Sequence, residues 1–304
     1  MSVAIATSVL DIGNMLGEGI QWCTRTQALY WTDIHASILW RHRPEDGVTE
    51  TWPMPERLAS FALCELDDWL LLGLATRLAF FHLPSGRLEP LCEVEGDLPT
   101  RLNDGVCDRE GRFVFGTLHE PRDGGPKQAV GSFYRFDADL SLHRLDLDRA
   151  AIPNSLAFSP DGRTMYFCDS PQRIIRRCAY GIDGVVGRAE DWLDLRTIEG
   201  EPDGSTVDAD GGLWNAQWGM GRVVRYTADG QEDVVVSVPT RQPTRVALGG
   251  RKLDRLYISS ARDGLSAQAL RDDAQAGNLF STKVSRQGLA EARFAGVPHN
   301  VDVA

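Results

Sequence analysis

The 304-residue sequence lacks a long apolar run and an excess of basic residues, and each absence excludes a class of protein. No segment approaches the roughly 20 apolar residues that span a bilayer. The formal net charge of −11 argues against nucleic acid or an anionic membrane as a partner. The start of the chain has neither a basic n-region nor a cleavage site, so a cytoplasmic location is predicted.

The sequence also lacks the cysteine spacing of a disulfide or redox motif, because no two of its six cysteines form CxxC. Disulfide frameworks are uncommon in large cytosolic chains. Since all six lie in or beside strand-like runs, we predict buried free thiols. The six residues are Cys23, Cys64, Cys92, Cys107, Cys168 and Cys178.

Several common catalytic motifs are missing as well. His119-Glu120 begins like a zinc-protease motif, but no histidine follows at the required spacing and the six histidines form no ligand set. The segment from Gly219 to Gly221 lacks the third glycine of a dinucleotide fingerprint. There is no GxSxG elbow, so nucleophilic serine catalysis has no support.

What the sequence does contain is a six-fold repeat of strand-like runs. The clearest run of each unit recurs roughly 40 to 53 residues after the last, which is the period of a four-stranded propeller blade. These runs begin at Tyr30, Trp69, Phe113, Met165, Leu213 and Leu256. A third run follows each, and a fourth can be read in every unit, for example at 49–54 and 291–297. The pattern predicts an all-β, six-bladed β-propeller with four antiparallel strands per blade, as one domain over residues 1–304.

Three segments stand outside the regular repeat. Residues 3–10 form an additional strand-like run, which we predict to pair with the last blade and close the ring. Residues 119–130 and 261–277 are long insertions between the second and third strands of their units. Insertions of that length are often lids or binding loops, although surface decoration explains them equally well.

Four polar residues occupy matching places near the start of their units: Glu18, Asn103, Asn154 and Asp203. Matching positions of successive blades face a shared axis, so two carboxylates and two amides should converge on one cavity. Such oxygen ligands suit one divalent cation, namely calcium, magnesium or manganese, with zinc and iron(II) as further options. The pattern predicts a metal and polyol site. An ordinary turn role stays open, above all for the Asn-Asp-Gly segment.

Longer motifs surround these residues. They include Leu16-Gly-Glu-Gly-Ile-Gln-Trp22, Arg101-Leu-Asn-Asp-Gly105, Pro153-Asn-Ser-Leu-Ala-Phe-Ser-Pro-Asp-Gly162 and Pro202-Asp-Gly-Ser-Thr-Val-Asp208. Together they resemble the gluconolactonase/regucalcin (senescence marker protein) family of six-bladed lactonases. The resemblance covers essentially the whole chain, and several motifs in the same order are specific where a single one would be weak.

The resemblance implies roles for individual residues. In that family a Glu, an Asn and an Asp hold a divalent cation, which corresponds to Glu18, Asn154 and Asp203. The sugar-contacting Arg and Asn correspond to Arg101 and Asn103. As an alternative to this role, Arg101 is a surface charge.

One further sugar contact is less secure. A carboxylate on the following loop corresponds to Glu120, although Pro121 replaces an acidic residue of some relatives. Trp218 is a candidate for the mouth of the cavity, whereas the other tryptophans are expected to pack within the blades.

The implied activity is hydrolysis of a sugar-acid lactone, a small molecule with a pentono- or hexonolactone ring. The cation would polarise the carbonyl and activate water, and Asp203 is the candidate to accept the proton. Two alternatives remain: hydrolysis of another ester or an organophosphate, and a metal-binding propeller without turnover. Arg101 and Asn103 favour a polyol over an apolar ester. A monomer or weak oligomer is expected.

Overall fold

A computed structural model of the protein describes residues 2–299 as six β-sheets. The innermost strands of consecutive sheets contact one another, and the sixth contacts the first. The sheets therefore form a closed six-bladed β-propeller with four antiparallel strands per blade, which confirms the predicted fold. Within residues 2–299 no helix is both long and apolar enough to cross a membrane.

The strands are numbered in chain order. Two strands precede the first blade: β1 (Ser2–Ile5) and β2 (Thr7–Leu10). Blade 1 has β3 (Gly17–Cys23), β4 (Ala28–Asp33), β5 (Ile38–His42) and β6 (Thr49–Pro53). Blade 2 has β7 (Leu58–Leu63), β8 (Trp69–Leu74), β9 (Arg77–His82) and β10 (Arg87–Glu93). Blade 3 has β11 (Thr100–Cys107), β12 (Phe113–His119), β13 (Phe133–Phe136) and β14 (Leu142–Arg144).

The remaining blades contain the only helical turns of the described residues. Blade 4 has β15 (Pro153–Phe158), β16 (Thr164–Asp169), a 3₁₀ turn (Ser170–Gln172), β17 (Ile174–Ala179) and β18 (Glu190–Asp194). Blade 5 has β19 (Glu201–Val207), β20 (Leu213–Trp218), β21 (Arg222–Tyr226) and β22 (Glu232–Ser237). Blade 6 has β23 (Pro243–Gly249), β24 (Arg255–Ser260), the helix α1 (Ala267–Asp272) and β25 (Leu279–Lys283).

The apolar runs that marked the second strands lie between neighbouring blades. Every residue of β4, β8 and β12 is buried. Such a strand is covered on both faces, so its sequence is a continuous apolar run rather than an alternating one. The outer strand β6 alternates instead between exposed and half-buried residues, as a strand with one solvated face does.

The start of the chain closes the ring in two pieces. β1 pairs in parallel with β22 and adds a fifth strand to blade 5. After the buried Ala6, β2 pairs antiparallel with β25 and supplies the fourth strand of blade 6. The predicted pairing with the last blade is thus correct for β2. The prediction that residues 3–10 lie outside the six units is wrong, because blade 6 takes its outer strand from them.

The fourth strand predicted at residues 291–297 is also wrong. This segment forms an isolated parallel bridge between Phe294 and Cys64 of blade 2. The ring of Phe294 is fully buried, with centroids 5.9 Å from Phe80 and 5.7 Å from Phe136. Burial of the aromatic ring, together with backbone hydrogen bonds from Phe294 to Leu63 and from Ala295 to Gly111, holds the segment against blades 2 and 3.

Both insertions lie where the sequence placed them, between β12 and β13 and between β24 and β25. We call them the blade 3 loop (residues 120–132) and the blade 6 loop (residues 261–278). The blade 6 loop contains α1, whose N-cap Ser266 accepts a 3.1 Å hydrogen bond from the Ala269 amide.

All six cysteines are free thiols. Five are buried and Cys92 is half-buried, so the prediction of buried thiols holds for five of the six.

Candidate active site

A cavity of about 290 Å³ opens beside the innermost strands, and it collects every site residue predicted from the sequence. These residues are Glu18, Arg101, Asn103, Glu120, Asn154 and Asp203. Trp218 also lines it, as expected for a residue at the mouth. Arg101 is only 6% exposed, so it is not a surface charge.

A register irregularity in each innermost strand explains how these polar side chains turn inward. In β15, Asn154 pairs with Cys168 and Ala157 with Tyr166, so two residues oppose one on the neighbouring strand. The other five innermost strands carry a comparable shift. A bulge of this kind breaks the in–out alternation of a strand and redirects its side chains.

The four repeat positions are offset by one residue in the sheet register. Glu18 and Asn154 are the last paired residues before the bulge, whereas Asn103 and Asp203 lie inside it. Their places in the repeat are therefore similar but not identical. All four still line one cavity, because the bulge relaxes the alternation at that point.

A series of hydrogen bonds, in which each residue donates to the next, orients the side-chain amides of Asn103 and Asn154. Arg101 Nη1 donates to Asn103 Oδ1 at 3.2 Å, and Asn103 Nδ2 donates to Asn154 Oδ1 at 3.0 Å. Asn154 Nδ2 donates to Ser170 Oγ at 3.0 Å, and that hydroxyl donates to the Pro202 carbonyl at 2.7 Å. Asn154 Oδ1 keeps a second lone pair for a ligand in the cavity.

Of the two carboxyl groups, Asp203 is buried and Glu18 is half-buried, and neither forms an ion pair with a described residue. Burial raises the pKa of Glu18 to about 8; the carboxylate of Asp104 also raises this pKa, whereas the charges of Arg245 and Arg101 lower it. Burial also raises the pKa of Asp203 well above its usual range, with the charge of Glu18 as the next cause. Two desolvated carboxylates that repel each other form an environment that favours a cation.

The backbone of Asp203 is held from behind by side chains. Its carbonyl oxygen accepts hydrogen bonds from Ser155 Oγ at 2.6 Å and from Asn215 Nδ2 at 3.0 Å. Ser155 adopts a left-handed backbone conformation with φ 59°, which costs energy for a residue with a side chain. Ser155 and Asn215 are fully buried, so the position of Asp203 is defined by packed groups.

Sequence reasoning missed a buried ion pair beneath the carboxylates. Arg245, from the bulge of β23, donates from Nη1 to Asp104 Oδ1, and both side chains are at most 6% exposed. Asp104 Oδ2 accepts a 2.9 Å hydrogen bond from the Leu156 amide. Arg245 is the second bulge residue of β23 and matches Asp104 of β11, one place after the position of Asn103 and Asp203, so the four repeat positions gave no signal for it.

The paired partner of Glu120 was missed as well. Arg57 donates two hydrogen bonds of 2.6 Å to the carboxylate of Glu120, and Arg101 Nε lies 3.5 Å from Glu120 Oε1. The hydrogen bonds from Arg57 hold the pKa of Glu120 below its ordinary value. Glu120 is therefore a charged residue at the mouth, located between two guanidinium groups.

The donor set suits a hard divalent cation. Glu18, Asn154 and Asp203 present only oxygen atoms, and their two carboxyl groups balance a charge of +2. Within residues 2–299, no three His, Cys, Asp or Glu side chains are grouped to hold a metal. The proposed ligand set is not a group of this kind, because one of its three side chains, that of Asn154, is an amide.

Comparison with known proteins gives one consistent result. Residues 16–262 match the SMP-30/gluconolactonase/LRE-like region family. The chain is 55% identical to an L-arabinolactonase of Azospirillum brasilense over 96% of each chain. It is 39% identical to a 6-deoxy-6-sulfogluconolactonase of Pseudomonas putida over 93% of this chain and 96% of the relative. The crystal structure of a calcium-binding protein, regucalcin, from Agrobacterium tumefaciens matches with a TM-score of 0.90 at 30% identity, covering 97% of this chain and 99% of that one.

Proposed function

The chain belongs to the SMP-30/gluconolactonase/LRE-like family, and we propose that it hydrolyses a pentono- or hexonolactone to the open aldonate with the help of one divalent cation. The observation that carries this proposal is the convergence of two desolvated carboxyl groups and two oriented amides on one cavity. The names of the similar lactonases support the reaction class. A cavity of about 290 Å³ suits a single small ring.

Three residues would hold the cation: Glu18, Asn154 and Asp203. The calcium-binding name of the similar regucalcin structure supports a divalent ion, and the same oxygen donors also suit magnesium, manganese, zinc or iron(II). When bound, the ion supplies Lewis-acid polarisation of the lactone carbonyl.

Asp203 is the proposed acceptor of the proton from the attacking water. Burial raises the pKa of its carboxyl well above the ordinary value, and a carboxylate with a higher pKa is a stronger base. Because its backbone is fixed by Ser155 and Asn215, the carboxylate meets the water from a defined direction. The water oxygen bonds to the carbonyl carbon, the bond from that carbon to the ring oxygen breaks, and the ring oxygen takes up a proton.

Arg101 and Glu120 are proposed to position the substrate. Nη1 of Arg101 donates to the Leu102 carbonyl and to Asn103, whereas Nη2 has no hydrogen bond to any described residue. Nη2 is therefore available to a sugar hydroxyl. Asn103 uses its amide hydrogens on Pro153 and Asn154, so it contributes to the substrate only the remaining lone pair of Oδ1.

We further propose that the whole chain works as one domain, as a monomer or weak oligomer in a reducing compartment such as the cytoplasm. The closed ring of contacts between the innermost strands supports a single unit. The six free cysteines are compatible with such a compartment.

The decisive experiment follows proton release from a panel of aldonolactones. The protein is stripped with a chelator and then resupplied with single divalent cations. We expect cation-dependent ring opening that falls at least about 100-fold in D203N and E18Q, since each change removes a charged ligand. The matched control is E110Q, which changes an exposed carboxyl group outside the cavity.

Other outcomes would redirect the assignment. Equal activity with and without chelator would contradict the role of the cation. Ring opening that is absent with every lactone but present with a simple aryl ester or an organophosphate would favour the second hydrolase class. A folded, cation-loaded protein with no turnover at all would support a binding propeller.

A further inference from the structure

The two long loops bring one charged side chain each to the same cavity. Lys127 comes from the blade 3 loop and Asp263 from the blade 6 loop, and both line the cavity. In a ring of six, blades 3 and 6 lie opposite each other. A molecule bound between the loops therefore meets a cation on one side and a carboxylate on the other.

The loop that carries Lys127 is folded back onto β12. His119 Nδ1 accepts a 2.9 Å hydrogen bond from the Gln128 amide, and Lys127 Nζ donates to the His119 carbonyl at 3.2 Å. No carboxylate within residues 2–299 forms an ion pair with Lys127. The ammonium group thus keeps N–H donors for another acceptor.

Asp263 is held in place by two residues from other segments. Its carboxylate oxygen Oδ1 lies 3.3 Å from His35 Nε2, and its carbonyl accepts a 2.9 Å hydrogen bond from Gln242 Nε2. The hydrogen bond to His35 lowers the pKa of Asp263, and the nearby charges of Arg101 and Lys127 lower it further. Asp263 is therefore an ionised acceptor at neutral pH.

The overall charge of the cavity disfavours an anionic guest. Five carboxyl groups line it against the basic side chains of Arg101 and Lys127, and a surplus of one carboxyl group remains when a divalent cation balances Glu18 and Asp203. The carboxyl groups belong to Glu18, Glu120, Glu201, Asp203 and Asp263. A neutral polyol avoids this repulsion, and its hydroxyls accept from an ammonium and donate to a carboxylate equally well.

We propose that Lys127 and Asp263 bind hydroxyl groups at the end of the lactone remote from its carbonyl, and that Asp263 disfavours a lactone with an anionic substituent. The inference rests on the proposed function and adds a specificity role for both long loops. Lys127 attracts an anionic substituent, whereas Asp263 repels it, so the two residues act in opposite directions on such a substrate.

The test compares K127M and D263N on two substrates, arabinono-1,4-lactone as the neutral lactone and glucaro-1,4-lactone as the anionic one. Each variant should raise KM for the neutral lactone by about 10-fold, the effect of one hydrogen bond to a charged group, with kcat within about twofold. The ratio of kcat/KM for the anionic lactone over the neutral one should rise in D263N and fall in K127M. The controls K252M and D272N make the same changes at exposed positions outside the cavity.

The possible results distinguish a failure of this inference from a failure of the proposed function. If the unchanged protein opens the neutral lactone and both variants behave like the controls, the inference is wrong and the proposed function stands. A loss of kcat without a change in KM or in the substrate ratio also contradicts the inference. If the unchanged protein opens no lactone, the proposed function fails and the inference fails with it.

Discussion

Asn103 donates a 3.0 Å hydrogen bond from Nδ2 to Oδ1 of Asn154, which joins the innermost strands of blades 3 and 4. A second hydrogen bond from the same nitrogen, to the Pro153 carbonyl at 2.9 Å, fixes which face of the Asn103 amide points to Asn154. The orientation of the Asn154 oxygen therefore depends on a neighbouring blade.

This relationship predicts a cation phenotype for a residue outside the proposed ligand set. N103A should weaken divalent cation binding by about 10-fold, because residues that orient a ligand typically account for 10- to 100-fold in affinity. Calorimetric titration of the chelator-treated protein with single cations measures the effect. An unchanged cation affinity with a raised KM would mean that Asn103 serves the substrate alone.

The ion pair of Arg245 and Asp104 predicts strong coupling in stability. Either R245M or D104N leaves a buried group without its partner, at a cost of about 3–5 kcal/mol in the free energy of unfolding. The double variant should cost at least about 1 kcal/mol less than the sum of the single variants, because neither charge remains unpaired. Denaturant titration of the four proteins measures the coupling. Additive costs would show that the two residues do not depend on each other.

The raised pKa of Glu18 predicts how the cation-free protein responds to pH. The pKa of this carboxyl is about 8 in the folded chain against an ordinary value of 4.5, so the folded state binds the proton more tightly. Its contribution to stability is complete below about pH 4.5 and is lost as the pH rises to about 8. With a chelator present, the melting temperature should fall across this window.

Two variants test that assignment. E18Q should flatten the decline in part, since Asp203 remains, whereas E110Q should decline like the unchanged protein. Excess divalent cation should restore the melting temperature at pH 8, because a ligand that binds only the folded state stabilises it. A decline of the same size in E18Q and E110Q would show that Glu18 does not cause it.

The sequence was sufficient for the blades but not for the closure of the ring. Strands such as β4 and β8 were predictable because burial between two blades requires an apolar run. Residues 291–297 have a similar short apolar pattern, which also suits a segment that buries one aromatic ring, here Phe294. Nothing local distinguishes the two, and nothing in residues 3–10 specifies which blade accepts them.

The residues of the candidate site were likewise only partly predictable from the sequence. Glu18 and Asp203 were predictable because they occupy matching places in the repeat and lie within motifs that resemble the family. Arg57 and Arg245 were missed because their partners lie 63 and 141 residues away in sequence, distances that carry no spacing signal. Motifs thus identified the proposed cation ligands and sugar contacts, whereas the fold was needed for the supporting arginines and for the cavity residues Lys127 and Asp263.

The burial of the cysteine side chains predicts how many thiols react in the native protein. Reaction with a disulfide reagent requires an exposed thiolate. Burial raises the pKa of Cys92, and it raises that of Cys178 to about 11, but Cys92 alone of the six is half-buried rather than buried. At pH 8 the native protein should show one fast-reacting thiol, which C92S removes, and six in denaturant. A fast thiol that persists in C92S would contradict the burial pattern.

The two N-terminal strands predict different costs for two deletions. Removing residues 2–5 takes away β1, a fifth strand on a blade that is complete without it. Removing residues 2–10 also takes away β2, which completes blade 6 and whose Ser8 accepts a hydrogen bond from Asn278 at 3.2 Å. Each lost hydrogen bond weakens folding by roughly 0.5–1.5 kcal/mol. The longer deletion should therefore lower the melting temperature by roughly 10 °C or more, and the shorter one by a few degrees.

The longer deletion also exposes the edge of β25, the strand that β2 covers. This exposure has a consequence that distinguishes a failure of ring closure from a general loss of contacts. An unpaired strand edge is a template for association with another chain, so the longer deletion should form oligomers as its concentration rises. Light scattering of both deletions at matched concentrations measures this, with the shorter deletion as the control. A peptide of residues 1–12 added in excess should suppress association of the longer deletion by occupying the free edge. If both deletions melt alike and stay dispersed, β2 does not close the ring in solution.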